Sequence, residues 1–113
     1  MTTRNFMEML LCRWGQANSL ACVGLDTDSL KIPTDNKLTS ATQLNFNCEV
    51  VEMTADLVCA YKPNIAYYGG LGTPGTYNLQ KTIAYIKKAA SSVPVILDAK
   101  RGDIGNSNFG YVR

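Results

Sequence analysis

The sequence predicts an α/β chain built on a parallel sheet, and three observations carry that prediction. Three short apolar runs each stop on a charged residue: Asp26, Lys62 and Asp98. Stretches with apolar residues at helical spacing lie between them. The charged ends also recur evenly, 36 residues from Asp26 to Lys62 and 36 again to Asp98. Strands as apolar as Val93-Pro94-Val95-Ile96-Leu97 are buried on both faces, as in parallel sheets. The order is β-α-β-α-β after a leading helix, which requires right-handed crossovers. Each unit then delivers one ionisable side chain to the same rim, as in part of a closed α/β barrel. Eight such units need ~250 residues. This chain has 113 and supplies about three, so residues 1–113 are expected to form the N-terminal portion of one barrel domain.

Residues 3–17 read as a helix, with Phe6, Met9, Leu10 and Trp14 on one face. Leu20 to Leu25 reads as a buried strand ending at Asp26. Residues 29–37 contain Pro33 and polar turn clusters and read as a loop. A helix is expected over 42–55, with Phe46, Val50 and Met53 as its apolar stripe. The second strand is expected over 56–61, ending at Lys62, because Pro63 holds the residue before it in extended conformation. Residues 77–90 read as a helix with Leu79, Ile83, Ile86 and Ala90 spaced 4, 3 and 4. Residues 93–97 form the third strand, and Asn106 or Ser107 could cap a further helix. Side chains alternate along strands. Cys22, Gly24 and Asp26 therefore share a face, as do Val58, Ala60 and Lys62, and Ile96, Asp98 and Lys100.

The bulk properties exclude several function classes. A formal net charge of +2 without a dense basic run argues against nucleic acid and anionic membrane. No apolar run approaches the ~20 residues of a membrane span. The first residues carry Arg4 and Glu8 and lack a cleavage-site pattern, so a cytoplasmic protein is expected. Cys12, Cys22, Cys48 and Cys59 form no Cys-x-x-Cys pair and read as buried free thiols. Histidine is absent from the sequence, so chemistry here runs on Asp, Glu, Lys, Arg, Tyr, Cys or backbone.

Two motifs compete for the function. Gly70-Leu71-Gly72-Thr73-Pro74-Gly75 is a literal G-x-G-x-x-G before a helix, with Asp98 as a downstream acid. A dinucleotide-binding βαβ unit on Gly70, Gly72 and Gly75 is one alternative. Against it, the required strand would begin at Lys62-Pro63, and the fingerprint has no use for Lys100 and Asp103. The other motif is Asp98-x-Lys100-x-x-Asp103. With Lys62 it forms an alternating set of charges that sums to zero and so can be buried. A lysine held between carboxylates stays protonated, can donate a proton and stabilises nearby negative charge. A carboxylate beside it repels an anionic substrate group by about 4 kcal/mol at ~4 Å and a dielectric near 20. Release of a substrate carboxylate as neutral carbon dioxide relieves that repulsion.

These residues resemble the orotidine 5'-monophosphate decarboxylase family. The matching stretches are Cys22-Val23-Gly24-Leu25-Asp26, Ala60-Tyr61-Lys62-Pro63-Asn64-Ile65-Ala66, and Leu97-Asp98-Ala99-Lys100-Arg101-Gly102-Asp103-Ile104-Gly105-Asn106. They run in order across residues 20–107. The resemblance implies a TIM (β/α)8 barrel, a homodimer, and conversion of orotidine 5'-monophosphate to uridine 5'-monophosphate without metal or organic cofactor. It implies that Lys100 protonates the C6 carbanion and that Asp98 lies against the departing carboxylate. Lys62 would join the charged network and contact the ribose, and Asp26 would bind ribose hydroxyls. Asp103 would cross the dimer interface into the partner's site, and Ile104 would line the carboxylate pocket. Ser107 stands where the family usually has a ribose-contacting threonine. A related branch that decarboxylates keto-gulonate phosphate shares Asp-x-Lys-x-x-Asp and uses magnesium, but carries an acid where Lys62 stands here.

Asn108 to Arg113 depart from the Ala-rich helix expected of the family, and Tyr67-Tyr68-Gly69-Gly70 is unusually glycine-rich for it. The family's phosphate grip comes from later βα loops. The 113 residues alone are therefore expected to be inactive, and to fold poorly or self-associate through open sheet edges. A non-catalytic barrel piece acting as an interaction module is the alternative from another class.

Overall fold

A computed structural model describes residues 5–32 and 40–99 of the chain. Helix α1 (Phe6–Ala17) opens on Asn5, whose side chain accepts a hydrogen bond from the Glu8 amide at 2.8 Å. It closes on Asn18 in the left-handed region at φ 49°, a conformation asparagine tolerates better than most residues. Strand β1 (Cys22–Leu25) follows, then a 3-10 turn (Ser29–Lys31) capped by the Asp28 carboxylate. Helix α2 (Ser40–Thr54) leads to β2 (Ala60–Pro63), a one-turn helix α3 (Ala66–Gly69), and the long helix α4 (Thr73–Ala89).

The two strands are parallel, with Gly24 opposite Lys62 and Leu25 opposite Pro63. The segment 93–98 adds a third parallel line on the far side of β2, through the bridges Tyr61 to Val95 and Asn64 to Asp98. This expected third strand is present as two isolated bridges rather than a continuous ladder. Pro63 interrupts the ladder between the two bridges: it has no N–H to give, and only its carbonyl is paired there, accepting from the Asp98 amide at 3.0 Å. The core lies between sheet and helices, around Leu25, Val51, Val58, Tyr61, Ile86 and Val93. At the end of the sheet away from the charges, buried Arg13 of α1 donates to the carbonyls of Val58 and Ala55 and to the Ser92 hydroxyl. That staple fixes the leading helix against the starts of β2 and the third segment.

Several expectations are corrected. The second strand begins at Ala60, four residues after Asp56, because the α2 end unwinds through a turn in which the Leu57 amide donates to the Thr54 carbonyl. The α2 stripe of Phe46, Val50 and Met53 is not its buried face. Met53 is 78% exposed, while Gln43, Asn47 and Val51 are fully covered. Periodicity read from apolar residues fails there because the buried face is largely amide. Helix α4 starts at Thr73, four residues early, since Pro74 fits a first helical turn. Of its expected stripe, Leu79, Ile86 and Ala90 are buried and Ile83 is half-buried. Of the four cysteines only Cys59 is buried; Cys12 and Cys22 are exposed and Cys48 is intermediate.

Two glycines set how α3 meets α4. Gly72 takes φ +70°, the left-handed region. At Gly75 a Cβ would stand 1.7 Å from the Tyr68 carbonyl oxygen, a backbone atom that cannot swing away. In the native protein, Gly75→Ala should cost at least the ~1–3 kcal/mol typical of overpacking and lower the urea midpoint accordingly. Gly69→Ala, where nothing lies within 4 Å, should leave the midpoint unchanged or raise it. Equal responses at the two positions would contradict this packing.

Candidate functional site

The charged rim forms where the three parallel lines end. Lys62 lies within β2, and Asp98 sits beside it at the bridge with Asn64. Their side chains pair, Lys62 Nζ to Asp98 Oδ2 at 3.4 Å, with 38% and 19% of the side chains exposed. Backbone bonds fix the aspartate from both sides. Its amide donates to the Pro63 carbonyl at 3.0 Å, and its carbonyl accepts from the Ile65 amide at 2.9 Å. Asp98 therefore reaches the rim on a rigid peptide, facing a lysine that β2 holds in register.

Asp26 arrives differently. It follows β1 directly, and continuing the register past Leu25 opposite Pro63 puts it level with Asn64 and Asp98. It shares a face with Gly24: a Cβ at Gly24 would lie 3.6 Å from Asp26 Oδ1. Glycine opposite Lys62 also leaves the rim open above that lysine. The Asp26 carboxylate accepts no hydrogen bond from a described residue. The backbone on either side of it is held instead. The buried Tyr68 hydroxyl donates to the Leu25 carbonyl and accepts from the Asn47 amide nitrogen, each at 2.9 Å. The Asn47 carbonyl oxygen accepts from the Thr27 hydroxyl, and Gln43 donates to the Thr27 carbonyl at 2.9 Å.

Asp26, Lys62 and Asp98 thus meet at one rim, as the 36-residue spacing implies. Lys100, Asp103, Ile104 and Ser107 lie outside the described residues. The supporting amides Gln43 and Asn47 and the Tyr68 hydroxyl were missed by sequence reading. Their one available signal was the i, i+4 spacing of two amide side chains before Val51 on a helix with a weak apolar face. The glycine motif does not make a dinucleotide site. That fingerprint needs a strand running into its first glycine, whereas Ala66–Gly69 is helical. Gly75 is accounted for by its approach to Tyr68. Among the described residues no group of three or more His, Cys, Asp or Glu is placed to hold a metal ion. No helix among them is long and apolar enough to cross a membrane.

Known proteins match this geometry and sequence. The family model described as orotidine 5'-phosphate decarboxylase / HUMPS covers residues 19–113. The orotidine 5'-phosphate decarboxylase of Ralstonia nicotianae is 44% identical over 108 residues, covering 96% of this chain and 39% of the relative. That of Cupriavidus metallidurans is 46% identical over 106 residues, covering 94% and 38%. The solved OMP decarboxylase of Leishmania donovani superposes with a TM-score of 0.69 at 34% identity, over 92% of this chain and 36% of that one. The chain therefore spans a little over a third of the length of these relatives. Its sheet of parallel lines is the leading part of a TIM (β/α)8 barrel.

Burial raises the Tyr68 phenol from its usual 10 to about 12, with the neighbouring polar side chains of Thr27 and Asn47 opposing that rise and the Asp26 charge adding to it. The folded state thus keeps a proton that the unfolded chain loses near pH 10. This contribution is fully present below pH 10 and disappears as pH rises through about 12, a change of roughly 3 kcal/mol. In urea unfolding of the native protein, the stability gap between wild type and Tyr68→Phe should narrow steadily over that range. A gap that stays constant would show that the phenol is not held protonated by the fold.

Proposed function

This chain belongs to the orotidine 5'-phosphate decarboxylase / HUMPS family, and we propose that it carries the reaction centre of an enzyme converting orotidine 5'-monophosphate to uridine 5'-monophosphate. The observation that carries this reading is the Lys62–Asp98 pair at the ends of adjacent parallel lines. It supplies half of an alternating charge set, and Lys100 and Asp103 supply the other half from the same stretch. Residues 1–113 then constitute the N-terminal portion of a single barrel domain.

In this mechanism Asp98 stands against the substrate carboxylate, and its charge disfavours the bound anion relative to the transition state. The bond from C6 to the carboxylate breaks, carbon dioxide leaves, and the electron pair stays on C6. Lys100, two residues beyond Asp98 in the sequence, gives its ammonium proton to C6. Solvent returns a proton to the amine. Lys62 holds Asp98 in place through their direct pair and hydrogen-bonds the ribose. Asp26 and Ser107 bind ribose hydroxyls, and Ile104 lines the pocket that releases carbon dioxide. Asp103 reaches the site of a second subunit, which makes the active form a homodimer. No step uses a metal or an organic cofactor. The lysine at position 62 supports this choice within the family, since the magnesium-using branch carries an acid there. A nucleotide substrate, with no oxidant or lipid needed, supports a cytoplasmic setting.

Remote phosphate binding drives such chemistry, and the relatives are more than twice as long as this chain. The test accordingly uses the native protein. Lys100→Ala should lower orotidylate turnover by at least roughly 10²–10⁴-fold, with uridylate binding still measurable by calorimetry. Unchanged turnover would remove Lys100 from the mechanism. Mixing Lys100→Ala with Asp103→Ala chains should restore part of the activity, because one site of the mixed dimer has both residues. Failure to recover in proven mixed dimers would place Asp103 in the service of its own chain.

A further inference from the structure

Two of the three described rim charges hold one another, and the third does not. Lys62 and Asp98 pair directly, whereas no described residue donates to the Asp26 carboxylate. The backbone that carries it is held at Leu25 and at Thr27. Both are gripped from the buried side. The Tyr68 hydroxyl holds the Leu25 carbonyl, whose peptide contains the Asp26 nitrogen. Asn47 holds the Thr27 hydroxyl, and Gln43 holds the Thr27 carbonyl. Tyr68, Asn47 and Gln43 are each fully covered.

The clamp also spans the sheet. Tyr68 belongs to the short helix α3 that follows β2, so its hydroxyl ties α3 to the end of β1. Gln43 repeats the link by donating to the Tyr67 carbonyl at 2.9 Å as well as to Thr27. Asn78 and Thr82 of α4 anchor the far side, Asn78 donating to Gln43 and Thr82 accepting from Asn47. We propose that Tyr68, backed by Asn47 and Gln43, is a positioning residue that aims Asp26 at the substrate ribose across from Lys62. This rests on the reading of Asp26 as a ribose-binding residue. Tyr68 touches no substrate; it acts through the Leu25 peptide. The buried phenol is neutral over the physiological range and keeps its hydrogen for that carbonyl.

The experiment is a double-mutant cycle in the native protein between Tyr68→Phe and Asp26→Ala, read as kcat and KM for orotidylate. Loss of one hydrogen bond should raise KM roughly three- to tenfold, with a smaller change in kcat. In the Asp26→Ala background the same substitution should change KM less than about twofold, because the group it aims is gone. Equal effects in both backgrounds would make Tyr68 merely structural and overturn the proposal. Thr27→Val provides a second route that keeps shape while removing the hydroxyl that Asn47 holds. It should reproduce the KM pattern, and Thr27→Ser should restore it; failure of either result counts against the clamp. Amide exchange gives a readout free of substrate. Tyr68→Phe should speed exchange at Asp26 and Thr27 and leave β2 unchanged, and uniform or absent acceleration would overturn the clamp. A wild-type protein that does not turn over orotidylate would sink the proposed reaction, with exchange still deciding on the clamp.

Discussion

Asn47 offers one carbonyl oxygen and one amino group, and both are engaged below the surface. The oxygen accepts from Thr27, and the nitrogen donates to Tyr68 and Thr82. A buried amide left without partners costs about 1–3 kcal/mol per group. Each of these bonds therefore constrains where its partner's element can lie. Thr27 lies two residues past β1, Tyr68 in α3 after β2, and Thr82 in α4. One side chain of α2 thus sets three elements relative to one another. Apolar packing alone would let α2 slide along the sheet by fractions of a turn at modest cost. The amide network does not, because a shift breaks several bonds at once.

The consequence reaches the rim. Lys62 and Asp98 sit 3.4 Å apart and remain partly exposed, so their attraction is weak by the standard of buried pairs. Holding the fold together is not what that pair is good for. Its value is a lysine and a carboxylate at fixed places, with backbone bonds carrying the structural load. Asp98 has both its amide and its carbonyl committed to β2. The Pro63 carbonyl and the Ile65 amide, on either side of Asn64, are the two partners that a parallel bridge provides. A ligand that displaced water from this rim would strengthen every charge interaction there, and the residues are already in position for it.

The rim was legible in the sequence because it rests on order and interval. Charges that end apolar runs at equal spacing must converge when the runs are parallel and adjacent, and Asp26, Lys62 and Asp98 do. Helix α4 was legible because its buried stripe is apolar at helical spacing. Helix α2 was legible as a helix but its buried face was not, since hydropathy assigns Gln43 and Asn47 to the solvent and Met53 to the core, and the reverse holds. Burial of an amide depends on partners 16 to 35 residues away, which local periodicity cannot register. The start of β2 failed for a similar reason. Asp56 to Val58 has strand-like composition at its apolar positions, but the turn from α2 consumes it.

The glycine motif shows how a local pattern and a fold can part company. Gly70, Gly72 and Gly75 match a phosphate-cradling fingerprint by spacing alone. Each glycine in that fingerprint answers a geometric demand made by a strand, a ligand and a helix. Here the preceding element is helical, so the first demand is missing. The left-handed turn at Gly72 lets the chain reverse from α3 into α4. The bare Cα of Gly75 lets α4 approach the Tyr68 carbonyl. That approach in turn seats Tyr68 deep enough for its hydroxyl to reach Leu25. Gly72 and Gly75 therefore act on the rim after all, but through packing. By letting two helices close on a tyrosine, they help hold the strand end that presents Asp26.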